Sequence, residues 1–166
     1  MDYQVDSITA QDAEDIATWK YPPPYEIFSL FVDVIPTLLN PTNRYCVVKD
    51  GEDQRVGFCC FGLEARVMGG NYMGDDSILD VGVGMRPDRV GRGDGRDFVD
   101  AILSYAMKRF KPRRFRVTIA EFNQRSLKTF LSLGFNETHR FSRLDENLVF
   151  IQLERDAFND SHSKTT

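Results

Sequence analysis

The chain has 166 residues, 42% hydrophobic and 28% charged, with a formal net charge of −4. That length suits one soluble domain, and an acidic balance excludes the basic footprint of a nucleic-acid-binding surface. No apolar run approaches the ~20 residues needed to span a bilayer. The first six residues are acidic where an export signal is basic and then apolar, so a cytoplasmic protein with no membrane or nucleic-acid partner is expected.

In chain order, residues 3–9 alternate as a first strand, and residues 11–20 read as a helix with Ile16 and Trp19 inward. Pro22-Pro23-Pro24 interrupts that pattern. Residues 25–35 resume it, with Ile27, Phe28, Phe31, Val32 and Ile35 at helical spacing, until Pro36 and Pro41 mark a loop. Residues 44–49 and 55–64 predict a hairpin around the turn 50–53. A Gly-, Asn- and Asp-rich loop, 65–76, leads to a strand over 77–85.

Val99, Ile102, Leu103, Ala106 and Phe110 then mark an amphipathic helix that Pro112 ends. A strand over 115–119, a helix over 126–133 closed by Gly134, and strands over 136–141 and 148–153 complete the order β-α-α-β-β-β-α-β-α-β-β. This predicts one α/β (α+β) domain over residues 1–158. Its sheet is mixed and mostly antiparallel, with six or seven strands and helices on both faces. The polar residues 159–166 are expected to be a disordered tail. Cys46, Cys59 and Cys60 lie in apolar runs without metal-ligand spacing, so they read as core residues and no metal site is expected.

The informative segment is Val90-Gly91-Arg92-Gly93-Asp94-Gly95, between a strand and a helix. Glycines let the backbone approach a ligand and adopt positive φ, and successive N–H groups at a helix head attract an anion without needing lysine. A Walker loop would need Gly-Lys-Ser/Thr where Gly95-Arg96-Asp97 stands. A dinucleotide fingerprint would need a third glycine at Arg96, in an early βαβ unit. A glycine loop with no ligand is the plain alternative.

The segment from Met85 to Gly95 resembles motif A of the GNAT (GCN5-related) N-acetyltransferases, Gln/Arg-x-x-Gly-x-Gly/Ala after strand four. Asn123-Gln124-Arg125-Ser126, followed by Phe130 and Gly134-Phe135, resembles their motif B, Asn-x-x-Ala/Ser with an aromatic residue and then Gly-Phe. Both motifs occur in order on the predicted elements. The resemblance implies acetyl-CoA as co-substrate and a primary amine, in a small molecule, peptide or protein, as acceptor. It also implies a pantetheine arm lying between splayed strands four and five against the backbone of Val83, Gly84 and Met85. Pyrophosphate would rest on Val90, Gly91, Arg92, Gly93, Asp94, Gly95 and Arg96. Asn123, Arg125, Ser126, Lys128 and Phe130 would line the cofactor along motif B, with Arg125 and Lys128 able to reach the 3′-phosphate.

For catalysis, a backbone N–H near Met85 is the natural oxyanion donor. Asp80 and Glu121 are the general-base candidates, with a structural hydrogen-bonding role as the alternative for Asp80. His139 is a remoter candidate. Three positions depart from the family pattern: Val90 stands at the usual Gln/Arg, Asp94 at an apolar position, and Phe130 where many members have a proton-donating tyrosine. Those departures support a second reading, a catalytically silent acyl-CoA sensor or regulatory domain. Trp19, Tyr21, Tyr25 and Tyr72 form either an amine-binding wall or core packing. A monomer or homodimer is expected.

Overall fold

The computed structural model describes residues 2–74, 76–143 and 147–158. The tail expected from residue 159 lies outside the described residues. Seven strands form one sheet in the order β1-β2-β3-β4-β5-β7-β6. They are β1 (Gln4–Ser7), β2 (Tyr45–Lys49), β3 (Arg55–Phe61), β4 (Ile78–Met85), β5 (Arg114–Ala120), β6 (Asn136–Arg143) and β7 (Leu148–Asp156). Only β4 and β5 are parallel neighbours; every other pair is antiparallel. Among the described residues, no helix is long and apolar enough to cross a membrane.

The local chemistry explains most boundaries. Helix α1 (Ala10–Ile16) starts with a capping box: the Thr9 hydroxyl accepts the Asp12 N–H, and the Asp12 carboxylate accepts the Thr9 N–H at 2.8 Å. The β2–β3 turn is tied by the Asp50 carboxylate, which accepts the N–H groups of Glu52 and Gln54 at 3.0 Å each. Strand β3 stops at Gly62, whose φ of 93° leaves the extended region, so it is shorter than the expected 55–64. Helix α3 (Gly95–Phe110) buries Phe98, Val99, Ile102, Leu103 and Ala106 on one face, and ends at left-handed Lys111 before Pro112. Asn123 caps α4 (Gln124–Ser132) by accepting the Ser126 N–H.

The helix expected over 25–35 is corrected. Two 3-10 turns, Glu26–Phe28 and Val32–Val34, stand there, followed by α2 (Ile35–Leu39), with Pro36 in its first turn rather than ending a helix. Between the turns the chain is extended at Ser29 and Phe31. It is held back on itself: the Tyr21 N–H donates to Ser29 Oγ (2.8 Å), and Lys20 Nζ donates to the Leu30 carbonyl. Phe31 and Val32, two of the apolar residues at helical spacing, are 62% and 75% exposed.

Helices α3 and α4 cover one face of the sheet, over Val81, Phe115, Val117, Ile119, Ile151 and Leu153. Helices α1 and α2 cover part of the other with Ala13, Ile16, Trp19 and Leu38 against Val47 and Phe58. All three cysteines are buried and free, with Cys46 directly opposite Cys59 on the β2–β3 ladder.

Candidate active site

The β4–β5 ladder is short. It pairs only Ile78 with Arg114, Leu79 with Phe115 and Asp80 with Arg116. Beyond that rung β4 stays with β3 and β5 with β7. A wedge therefore opens between residues 81–85 and 117–120. Alternation decides which backbone groups line it. Gly62 N–H donates to the Asp80 carbonyl (2.9 Å) and Arg86 N–H to the Val56 carbonyl (2.8 Å), so even-numbered β4 residues spend their peptide groups on β3. Antiparallel partners alternate between bonded and unbonded pairs, which turns the N–H and C=O of Val83 and Met85 to the wedge. The expectation for Gly84 is corrected: it pairs with Phe58 instead. Its lack of a Cβ serves packing, because a Cβ there would sit 2.4 Å from the Phe58 ring.

At the end of β4 the chain makes a 3-10 turn, Pro87–Arg89, then the glycine-rich turn. Gly91 and Gly93 have φ of 80° and 83°, conformations that strain other residues. A Cβ at Gly93 would meet nothing within 4 Å, whereas one at Gly91 would lie 3.4 Å from the Arg125 guanidinium. Arg125 thus lays its charge against the turn while its guanidinium stands 5.9 Å from the Tyr25 ring centre. Gly95 opens α3 close to Thr129 of α4. Arg92, Arg96 and Lys128 are exposed around this ledge, and Val90 is half-buried. Asp94 takes the N-cap position of α3 without a side-chain cap bond. It lies near Tyr3, whose phenol is pushed up by burial and then by the Asp94 charge. Glycine N–H groups, a helix head and a guanidinium together can hold a diphosphate.

The two base candidates are both engaged. Asp80 is 2% exposed and accepts Arg116 Nε and Nη2 at 2.6 and 2.9 Å, plus Arg66 Nε at 2.9 Å. That contact raises the pKa of Arg116. Both guanidinium groups lie about the Tyr72 ring, at 4.9 and 5.1 Å. The Tyr72 hydroxyl meets Thr118 Oγ1 at 2.7 Å and accepts the Val67 N–H at 2.8 Å. Glu121 pairs with Arg140 of β6 at 2.8 Å, on the side of β5 away from β4. His139 stacks on Phe141 in β6, separated from β4 by two strands. Among the described residues, no group of three or more His, Cys, Asp or Glu is placed to hold a metal.

A sequence model of the acetyltransferase (GNAT) domain matches residues 3–136. The chain belongs to the GNAT acetyltransferase family. Solved GNAT structures share the fold at low identity. A chimera of spermidine N-acetyltransferase SpeG from Vibrio cholerae with hSSAT superposes with a TM-score of 0.72 at 14% identity, over 95% of this chain and 96% of that one. The dodecameric spermidine N-acetyltransferase from Vibrio cholerae gives 0.68 at 16%, over 96% and 98%. A GNAT-family acetyltransferase from Bacillus anthracis gives 0.68 at 15%, over 95% and 96%. No curated protein sequence matches the chain.

Against the GNAT pattern, Phe130 is 1% exposed, with its ring edge-on to Phe135 at 5.2 Å. The structure adds Phe122, which sequence reasoning did not single out, and gives partners to three aromatics that it did. Phe28 and Phe122 stack at 5.7 Å, with Tyr25 5.9 Å from Phe122. The Tyr21 hydroxyl donates to the Met85 carbonyl at 2.6 Å, and burial pushes that phenol up to about 12. Segment 21–28 therefore fastens to both arms of the wedge. Trp19, another member of the expected wall, is packed against Phe58 in the core. Arg116 had a legible signal: one cation in an apolar strand faces one carboxylate in the neighbouring apolar strand.

Proposed function

We propose that this chain uses acetyl-CoA to acetylate a primary amine of a small molecule, peptide or protein. The observation carrying that reading is the edge of β4 that has no strand partner beyond Asp80, ending on a glycine turn at a helix head with Arg125 laid against it. An extended, amide-bearing arm ending in a diphosphate is complementary to that line: amides for Val83 and Met85, phosphates for residues 90–96. A wedge-facing N–H near Met85 is then the oxyanion donor, and the order of that line, phosphates first and thioester last, favours the N–H of Val83. Ser126 and Phe130 support the ledge from within α4, Asn123 by capping it, and Lys128 offers an exposed charge to the 3′-phosphate.

Asp80 fits a structural role better than that of a base, since two guanidinium groups already hold its carboxylate. Glu121 is the more accessible carboxylate, at 46% side-chain exposure. Residues 1–158 act as one domain in this proposal, in the cytoplasm, as a monomer or homodimer.

Calorimetry with acetyl-CoA, followed by thioester consumption over a panel of amines, tests the proposal. Spermidine belongs in the panel because structural neighbours are spermidine N-acetyltransferases. Saturable binding with turnover of at least one amine supports the enzyme; no binding rejects it. The buried Phe130, which has no proton to give, favours one second reading: a silent acyl-CoA-binding sensor, for which binding without turnover across the panel is the mark.

A further inference from the structure

One face of the sheet is left for an acceptor. Helices α3 and α4 close the face that carries Leu79 and Val81. Side chains alternate along a strand, so the opposite face of β4 carries Asp80, Gly82 and Gly84, and the two glycines make a floor without side chains. Two segments rim that floor. Segment 21–28 stands at the open end of the wedge, on Met85 and Phe122. The loop after β3 covers the closed end. A Cβ on Gly82 would lie 3.4 Å from the Ala65 Cβ, and the Tyr72 hydroxyl meets Thr118 of β5 at 2.7 Å.

Arg66 sits on this rim with donors to spare. Its Nε bonds Asp80, and among the described residues neither Nη1 nor Nη2 has a hydrogen-bond acceptor. The side chain is 35% exposed, with its guanidinium 5.1 Å from the Tyr72 ring centre. Arg66 and Arg116 share the single Asp80 carboxylate, which leaves one positive charge at the closed end. The other cations about the wedge are engaged: Arg125 lies against the glycine turn, and Arg140 holds Glu121 and Glu137. The charge of Glu64 bears on Tyr45 and Cys60, toward β2.

We propose that Arg66 selects the acceptor, a small amino acid whose carboxylate docks on the two Nη groups while its amine reaches the thioester. This rests on the acetyl-CoA reading above, in which the thioester end lies beside Val83, next to Gly82. A planar fork of N–H donors matches a carboxylate in shape and charge. A polycation such as spermidine brings like charge to the same rim, which disfavours it. Glu26, the carboxylate within residues 21–28, stands at the opposite rim.

The test follows acetyl-CoA consumption by the whole chain with L-amino acids, the matching amino-acid amides and spermidine. The best amino acid is expected to exceed its amide about 10–100-fold in kcat/KM, the scale of a hydrogen bond to a charged group. Arg66→Gln should erase that preference through the KM of the amino acid, with acetyl-CoA affinity held in calorimetry. Arg66→Lys keeps a cation beside Asp80 and should restore part of the preference. It replaces Arg66→Gln if that variant does not fold, and the acid-to-amide ratio of the natural protein needs no variant. An amide or spermidine used as well as the amino acid overturns the role of Arg66 and leaves acetyl transfer intact. Equal slowing of acid and amide in Arg66→Gln does the same. No acetyl-CoA binding, or no turnover across the amines, overturns acetyl transfer and this inference with it.

Discussion

Asp80 and Arg116 are backbone partners on the last rung of the β4–β5 ladder, and their side chains also close on each other through two hydrogen bonds. The wedge begins where this buried pair stands. Removing one partner of such a pair strands the other charge, so Asp80→Ala is expected to cost about 3–5 kcal/mol of stability. Urea denaturation reads that loss directly. The shape of the pH–rate profile should survive in Asp80→Asn. Full stability with kcat down about 10²-fold or more would make Asp80 the general base after all.

Gly93 gives a cleaner test of the anion ledge. Its φ is positive and the space outside it is open, so a side chain there strains the turn without colliding with the core. Gly93→Glu adds a negative charge where phosphate is expected. Calorimetry should show acetyl-CoA binding abolished, while stability falls by only the cost of one strained residue, about 1–3 kcal/mol.

Arg125 is expected to contribute charge rather than fold, being exposed beside Gly91. Arg125→Ala should weaken acetyl-CoA binding roughly 10–100-fold, the scale of a charge-assisted hydrogen bond. The loss should shrink as salt rises. Arg125→Lys should recover only part of it, because an ammonium cannot form the planar fork. Binding isotherms at low and high salt check all three.

Asp12 sets part of the acid limit of the fold. Burial alone would raise its carboxyl, but the hydrogen bonds from Arg55 and Thr9 outweigh burial and hold it below the usual range. A depressed folded pKa means stability that is fully present above the ordinary carboxyl value of about 3.9 and lost as pH falls through the lower folded value. Asp12→Asn should therefore be less stable than the natural protein at neutral pH and lose less on acidification below about pH 4. Denaturation midpoints across that range measure the difference.

What the sequence made legible was local. The strand before the glycine turn, the amphipathic stripe of α3 and the Asn123-to-Phe135 segment are each written in neighbouring residues, and the structure shows those elements in that order. Segment 25–35 was misread because its helical spacing of apolar residues is real, but Tyr25 and Phe28 find their partner in Phe122, far along the chain. Gly84 looked like a cofactor contact because it lies between Val83 and Met85. Which of the three faces the wedge depends on the register with β3, and no spacing within β4 reveals that. Tyr21 was visible only as one aromatic among several; its bond to Met85 spans 64 residues of sequence.

The brevity of the β4–β5 ladder has a further consequence. Strands β1–β4 and strands β5–β7 form two leaves of an open book, and the spine is three residue pairs long. The angle between the leaves is then set at the spine, by how Asp80, Arg116 and Arg66 pack, together with segment 21–28, which ties the two arms. Substitutions at the spine should retune the width of the opening from a distance, so affinity for whatever occupies it can drift without a change in any residue that touches it.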